Sequence, residues 1–404
     1  MSTFLRALGR GADSFRVAEF RWLWTASALY AFAQWMERTA IGWLVLDETG
    51  SVFLTAIAWA VRIAPGTLLG PLAGALADRM SRSDMLALSA AAKVVALGAI
   101  AVLTLGDAFV LWVVLALVVV SGGSMTFNIS ALQPLIRDIV GPERSMNAIS
   151  INSFGQRAVG SLGALLAGYL IAWFGAGEAF LGAAAIMVVA TVAFWALRSA
   201  VPASRGSGLF ADVADGIKIV FKVRLVALLL VLVIVSENLG FAFYAVLPSI
   251  AGDLLEVGPD GLGMLGTAVG MGSIVGTLGL ALLGDFPRKG VLLAAVIAGF
   301  GGLLLAMAGN DFYPLALLIA AGLGASMAAV DALEWIILQS QVPDDYRGRV
   351  IGAWNVCIGL GWLGPVVLGG LAELIGLAAA LAVFGIALAL SGVAALGSRQ
   401  LRAA

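Results

Sequence analysis

Residues 66–82 read GTLLGPLAGALADRMSR, an apolar, glycine-rich run that ends in three charged residues within five positions. The glycines at 66, 70 and 74 recur every four residues, so they lie along one face of a helix. Small residues at this spacing let two helices approach closely inside a membrane. The stretch therefore predicts a membrane-spanning helix that ends at a charged loop, with Asp78 at the helix end.

The composition extends this prediction to the whole chain. Of its 404 residues, 61% are hydrophobic and only 12% are charged, whereas about a quarter of the residues in a soluble protein are charged. So much apolar surface must face lipid, where only structures that satisfy their own backbone hydrogen bonds are stable. We predict an all-α protein that crosses the membrane many times.

Charge and residue usage exclude several other functions. The net charge is −1, and nucleic-acid binding requires a basic face. The chain has no histidine and a single cysteine, Cys357, so a metal site or an internal disulfide lacks its usual residues. Neither a nucleophile–base constellation nor an ATP-binding loop is present. We expect no metal, no cofactor, no catalytic residues and no enzymatic activity.

The hydropathy pattern predicts twelve membrane spans, each with the roughly 20 apolar residues that a spanning helix needs. The first six are residues 22–46, 52–77, 85–105, 108–131, 147–173 and 178–197, and the last six are 224–250, 260–283, 290–309, 312–338, 350–375 and 377–397.

The positive charges give the orientation. If the N terminus is cytosolic, every lysine and arginine outside the spans lies on the cytosolic side, while the outer loops carry acids such as Asp47 and Asp107. This bias is typical of a multi-pass protein with positively charged cytosolic loops. We therefore expect the cytoplasmic (inner) membrane, with both termini in the cytosol.

A polar linker divides the chain near its midpoint. Its second part, residues 209–222, has an amphipathic pattern that predicts a helix on the cytosolic leaflet. The expected domains are a cytosolic segment (1–21), a six-helix bundle (22–197), the linker (198–223), a second six-helix bundle (224–397) and a cytosolic tail (398–404).

The two halves share a repeat. Glycines of span 5 recur 201 residues later in span 11, close to half the chain length: Gly163 and Gly364, Gly168 and Gly369, and Gly175 and Gly376. The loop signals match as well, because Pro142-Glu143 and Pro343-Asp344 precede these spans, and Asp78 pairs with Asp285. Parallel repeats of six spans place a substrate site near the middle of the membrane. The alternative is that any two glycine-rich membrane helices look alike.

The loop from Gly74 to Arg82 resembles the signature G-x-L-A-D-R-x-G-R of the major facilitator superfamily, with Ser81 where that family carries glycine. Further stretches are similar to the enterobactin-exporter-like branch of its drug:proton antiporters: residues 20–24, 47–51, 70–74 and 342–349. The resemblance implies twelve transmembrane helices in two pseudo-symmetric six-helix bundles, and secondary active transport.

The same resemblance implies a conformational latch. Asp78 would accept hydrogen bonds from the N terminus of span 11, near Arg349, and so favour the outward-facing state. The residues of this latch are Gly74, Asp78, Arg79 and Arg82. The alternative is that these charges only determine topology.

Eight ionisable residues lie within the spans, where each costs about 2.5–3.5 kcal/mol or more at the membrane centre. They must therefore face protein or a water-filled cavity. The four bases all lie in the first half, and three of the four acids lie in the second. They are Glu37, Arg38, Arg62, Lys93 and Arg157, then Glu237, Asp331 and Glu334.

The four acids are candidates for proton coupling. Asp331 and Glu334 are three residues apart, so they share a helical face, and neighbouring carboxyl groups can hold and release a proton. Glu237 lies in the middle of span 7 and Glu37 in span 1. Two alternatives remain: Glu37 forms a fixed pair with Arg157 or Arg62, or Glu334 extends to the cytosolic end of its helix.

The membrane bases and several polar or aromatic residues are candidates for the substrate cavity. By resemblance, Arg157 matches an arginine that this branch often carries in helix 5. The alternatives are a structural ion pair for Arg157 or Lys93 and helix packing for the aromatic rings. The candidates are Arg38, Arg62, Lys93, Arg157, Asn128, Asn152, Asn238, Tyr244, Trp35, Trp335 and Asn355.

We therefore predict a monomeric secondary transporter that exports a drug-like or siderophore-like amphipathic molecule by proton antiport and alternating access. Its partners would be that substrate, protons and membrane lipids. A flippase for lysophospholipid or another lipid has the same fold and remains an alternative. A non-transporting membrane sensor is a second one.

Overall fold

The computed structural model describes residues 12–197, 224–284, 286–342 and 347–403, almost all of them helical. After a short 3₁₀ turn (Ala12–Arg16), the first six helices are α1 (Ala18–Thr49), α2 (Val52–Ala77), α3 (Arg82–Leu105), α4 (Leu111–Val140), α5 (Pro142–Trp173) and α6 (Ala176–Ala196). The next six are α7 (Arg224–Leu254), α8 (Gly258–Leu283), α9 (Lys289–Ala308), α10 (Tyr313–Gln341), α11 (347–375) and α12 (Leu377–Ala395), followed by the short α13 (Arg399–Ala403).

Each predicted span coincides with one of these helices, and the largest error in a boundary is at α4. This helix continues past the predicted end at residue 131 to Val140, with Pro134 inside it. Helix α5 then begins at Pro142, where a proline fits because the first turn of a helix leaves its N–H groups unpaired. The polar residues between the two spans thus extend the helices rather than form a loop.

Ten of the described helices are long and apolar enough to cross a membrane, which confirms an all-helical, multi-pass architecture. The two remaining predicted spans correspond to α1 and α5, which are 32 residues long each. Both are more polar because they carry candidate site residues such as Glu37 and Arg157. The count of twelve spans stays a prediction.

Helix α7 is continuous but irregular. Its residues Ser236–Gly240 are π-helical, Phe241–Val246 form a 3₁₀ segment, and Ile250–Leu254 are π-helical again. Helix α11 also changes to a 3₁₀ turn, at Leu360–Trp362. Such departures from α-helical hydrogen bonding occur frequently at functional sites. The irregular part of α7 contains Glu237 and Asn238.

The chain forms two compact units that differ from its sequence halves. One contains the described residues up to Ala40 and those from Leu68 to 197, and the other contains Ile41–Thr67 and the described residues from 224 onward. The end of α1 and most of α2 belong to the second unit. The linker 198–223 and its predicted amphipathic helix lie outside the described residues. The predicted domain boundaries therefore stay predictions.

Hydrogen bonds with α11 join part of α2 to the second unit. The Ser51 hydroxyl and the Phe53 N–H donate hydrogen bonds of 2.6 and 3.2 Å to the Glu373 carboxylate of α11. This carboxylate thereby caps the N terminus of α2, where a negative charge is favourable. Farther along, the Thr67 hydroxyl donates to the Gly359 carbonyl of α11 at 2.5 Å.

Gly163 and Gly364, which are 201 residues apart, have the same packing role in the two units. A Cβ atom at Gly163 would lie 2.2 Å from the Phe32 carbonyl oxygen of α1, and one at Gly364 would lie 2.2 Å from the Asn238 carbonyl oxygen of α7. Only glycine permits backbones to approach so closely. Neighbouring helices correspond as well, because α3 packs on α6 as α9 packs on α12. Asp285 and Pro343-Asp344, also part of the proposed repeat, lie outside the described residues.

Alanine at either paired glycine is expected to destabilise the protein. Each of Gly163→Ala and Gly364→Ala should lower the free energy of unfolding by about 1–3 kcal/mol, because the new methyl group meets backbone that cannot move aside. Gly98 and Gly299, also 201 residues apart, provide matched controls because nothing lies within 4 Å of a Cβ at either position. Alanine there should be neutral or stabilise by up to about 1 kcal/mol.

Thermal and denaturant unfolding of the detergent-solubilised variants measures both sets. Equal midpoints for the four variants would show that close backbone packing at Gly163 and Gly364 is unimportant.

Candidate functional site

A fully buried ion pair joins α1 and α3. The Lys93 ammonium nitrogen lies 2.9 Å from Glu37 Oε2, and both side chains are 0% exposed. The Ser121 hydroxyl of α4 donates a hydrogen bond to the other oxygen of Glu37. The Tyr30 ring lies 5.3 Å from the ammonium nitrogen, close enough for a cation–π contact. Each charge thus has a partner inside the bundle, as buried charges require.

This geometry replaces the pairing considered from the sequence. Glu37 forms its ion pair with Lys93, not with Arg157 or Arg62. Sequence spacing could not indicate this partner because Glu37 and Lys93 lie on different helices. Lys93 itself is enclosed by protein in this structure, and its role in a substrate cavity stays a prediction.

Three carboxyl groups converge in the second unit, on α7 and α10. Asp331 interacts electrostatically with both Glu237 and Glu334, and these two glutamates interact with each other. Glu334 is 3% exposed, and its carboxylate accepts a hydrogen bond of 3.2 Å from the Ser236 hydroxyl. Among the described residues, neither Glu237 nor Glu334 forms an ion pair. We call Glu237, Asp331 and Glu334 the carboxylate triad.

The burial of Glu334 decides between two interpretations of its position. Its side chain does not extend to the cytosolic end of α10, since it is almost fully buried and bonded to α7. Helix α11 packs against Glu237 of the triad at Gly361. A Cβ at Gly361 would lie 3.0 Å from Glu237 Oε2, so the absence of a side chain there makes room for the carboxylate.

Arg62 belongs to an aromatic cluster in the second unit. Its guanidinium carbon lies 5.5 Å from the centre of the Trp59 ring. The Trp59 ring stacks on Tyr244 of α7 with centroids 5.7 Å apart and an angle of 8° between the planes. Arg62 is 5% exposed, and its Nε has no hydrogen-bond partner in the part of the chain that the structure describes. The sequence identified Arg62 and Tyr244 as candidates but missed Trp59, whose ring lies against both of them.

The other cavity candidates are distributed over both units. Arg38 stacks over Trp35 at 4.9 Å, and Trp35 fills the space that a Cβ at Gly160 would occupy. The Trp335 and Trp354 rings lie 4.8 Å apart. Among the described residues, a buried polar atom without a hydrogen-bond partner occurs in each of Asn128, Asn152, Asn238 and Trp354. Arg157 is half-buried, and Asn355 is exposed.

The signature loop (residues 74–82) leads into α3, and its last residue contacts α4. The Ser81 hydroxyl accepts a hydrogen bond from the Asp84 N–H, so the serine that replaces the usual glycine caps the helix. Arg82 forms an ion pair with Asp138 at the end of α4. Asp78 is half-buried and Arg79 exposed. The expected partner of the latch begins next to residues 343–346, which lie outside the described residues, so the latch stays a prediction.

Comparison with known proteins identifies the family. A family described as transmembrane secretion effector matches residues 11–403. The chain belongs to this family. It is therefore a major facilitator transporter, as the signature loop predicted, and its family and relatives are transporters rather than enzymes.

Two relatives of this transmembrane secretion effector have informative names. The multidrug efflux pump Tap of Mycolicibacterium fortuitum is 25% identical over 383 residues, which cover 90% of this chain and 91% of the relative. The staphyloferrin A transporter of Staphylococcus aureus is 21% identical over 372 residues, which cover 91% and 92% of the two chains. Both alignments extend over nearly the whole transporter.

Solved structures support the fold. The nucleoside transporter NupG has a TM-score of 0.77 at 13% identity, and the match covers 94% of this transporter and 99% of that chain. A proton-dependent oligopeptide transporter structure has a TM-score of 0.74 at 16% identity, with coverages of 95% and 98%. Identities this low show a shared fold alone and say nothing about the substrate.

Sequence reasoning missed the hydroxyl groups of the transporter's two acidic sites. Ser121 binds Glu37, and Ser236 binds Glu334. Serine occurs throughout membrane helices, where it often bonds its own backbone, so neither position stood out. The adjacency of Ser236 and Glu237 was the one available signal.

Proposed function

We propose that this transporter exports an amphipathic small molecule, drug-like or siderophore-like, by proton antiport. The observation that carries the proposal is the carboxylate triad: three acids converge in a membrane-spanning region, and neither Glu237 nor Glu334 forms an ion pair among the described residues. Mutual repulsion of buried carboxylates favours binding of a proton. The names of the relatives, an efflux pump and a siderophore transporter, support export and an amphipathic substrate.

The triad is a better candidate for coupling than Glu37. Glu37 is neutralised by Lys93 at 2.9 Å with both side chains enclosed, so a change in its protonation would leave an unpaired buried charge. Among the residues that the structure describes, Glu237 and Glu334 have no such compensating cation. It lies beside the irregular part of α7, where small changes in hydrogen bonding can accompany a change of conformation.

In the proposed cycle, proton binding from the outside discharges the triad and favours one facing state, and proton release to the cytosol favours the other. The latch residues Gly74, Asp78, Arg79 and Arg82 would stabilise the outward-facing state. The transporter would act as a monomer in the inner membrane with both termini in the cytosol, as its positive charges predict.

Dye accumulation in proteoliposomes tests the coupling. With the cytosolic face outward and an acidic lumen, sulforhodamine B or rhodamine 6G should accumulate inside. A gradient of one pH unit supplies about 1.4 kcal/mol per proton, which corresponds to about tenfold accumulation of either dye for exchange of one proton per dye, with the membrane potential held at zero by valinomycin and equal K⁺ on both sides. Nigericin, which dissipates the gradient, should abolish the accumulation. Equal uptake with and without nigericin, above that of protein-free liposomes, would reject proton antiport.

A further inference from the structure

The buried cations of the described residues are not all neutralised. Three lysine or arginine residues are buried: Arg62, Arg82 and Lys93. Arg82 has the Asp138 carboxylate as its partner, and Lys93 has that of Glu37. Among the described residues, Arg62 forms no ion pair and its Nε has no hydrogen-bond partner.

The lack of an ion pair at Arg62 among the described residues requires a physical explanation, because placing an unpaired cation in a membrane helix costs free energy. The Trp59 ring holds the guanidinium at 5.5 Å, but a π face carries no net charge and leaves the cation uncompensated. Tyr244 stacks on Trp59 and fixes the ring. The aromatic rings therefore position Arg62, and no described residue supplies its counter-ion.

We propose that Arg62, Trp59 and Tyr244 form a subsite that binds the anionic group of the transported molecule, an inference that rests on the proposed export function. A guanidinium binds a carboxylate, sulfonate or phosphate through two parallel N–H donors, and the unpaired Nε–H is one of them. Trp59 and Tyr244 are only partly buried, so their rings offer apolar surface beside the anion. Together they select a substrate that combines a negative charge with a flat apolar body.

Two dyes with the same xanthene core and opposite net charge test the subsite. Sulforhodamine B is a net anion, and rhodamine 6G is a cation. Binding to the purified full-length protein in neutral detergent is measured by fluorescence polarisation, without any gradient. Sulforhodamine B should bind at least about tenfold more tightly than rhodamine 6G, as expected for a charge-assisted hydrogen-bonded pair. Equal or tighter binding of rhodamine 6G to the unmodified protein would overturn the subsite.

Variants then assign the preference to Arg62. The Arg62→Gln variant should lose at least about tenfold in affinity for sulforhodamine B and little for rhodamine 6G. Arg62→Lys keeps the charge but not the planar pair of donors, so its affinity should be intermediate. Arg144→Gln is the matched control, because Arg144 is exposed at the start of α5. An unchanged sulforhodamine B affinity in a folded Arg62→Gln or Arg62→Lys variant would reject the role of Arg62.

An anionic lipid headgroup binds a guanidinium through the same contacts as an anionic substrate. A second experiment therefore tests phosphatidylglycerol. If the substrate is the occupant, adding this lipid to the micelles should change the sulforhodamine B affinity less than twofold, which corresponds to about 0.4 kcal/mol. Displacement of the dye by the lipid, dependent on Arg62, would assign the subsite to lipid and overturn the proposal. Charge-selective binding combined with gradient-independent transport would reject proton antiport and leave the subsite intact.

Discussion

The Lys93→Met variant is expected to lower the free energy of unfolding by about 3–5 kcal/mol, the range for removing one partner of a buried ion pair. Lys93 and Glu37 are both 0% exposed with 2.9 Å between their charged atoms. Methionine fills the space of the lysine stem but leaves Glu37 as an uncompensated carboxylate. Thermal and denaturant unfolding in detergent measures the loss.

The double variant Glu37→Gln/Lys93→Met separates lost charge pairing from lost packing. Both charges are then absent, and an amide at position 37 can still accept the hydrogen bond from Ser121. Replacing a whole buried pair by neutral groups is often close to neutral, so most of the stability should return. Arg144→Met, at an exposed position, is the control for removing a cation. A Lys93→Met variant as stable as this control would contradict the buried pair.

The Glu334→Gln variant is expected to lose gradient-driven accumulation. The amide keeps a polar contact with Ser236 but cannot exchange a proton, so the roughly tenfold accumulation expected per pH unit should fall to about one. Dye exchange without a gradient should continue, because the variant still changes conformation. Accumulation and exchange in the same proteoliposomes measure the two properties, and Glu237→Gln should behave similarly.

Two controls determine whether this loss is specific. Glu143→Gln removes an exposed carboxylate from the first turn of α5 and should keep full accumulation. The Glu37→Gln/Lys93→Met variant should also keep it if the carboxylate triad is the coupling site. Loss of accumulation in that double variant, with retention in Glu334→Gln, would assign coupling to Glu37 instead.

The sequence predicted helices well and contacts between helices poorly. The apolar runs located the described spans to within a few residues, except where α4 continues to Val140. The signature loop predicted the family. The sequence did not identify Lys93 as the partner of Glu37, and it overlooked Trp59, because both depend on which side chains of separate helices meet. Periodicity gives the face of a helix but not the neighbour that the face contacts.

The sequence by itself determined that the chain is an all-helical membrane transporter, because lipid permits few architectures and the hydropathy and charge patterns are local properties. Its glycine pair Gly163 and Gly364 also marked two positions of close helix packing, since only glycine fits where backbones meet. The tertiary structure alone decided which buried charges are compensated. Among the described residues, Lys93 pairs with Glu37, the triad gathers three acids, and Arg62 lies against an aromatic ring and forms no ion pair. Electrostatic energy depends on distances between helices, and those distances are fixed only when the helices pack.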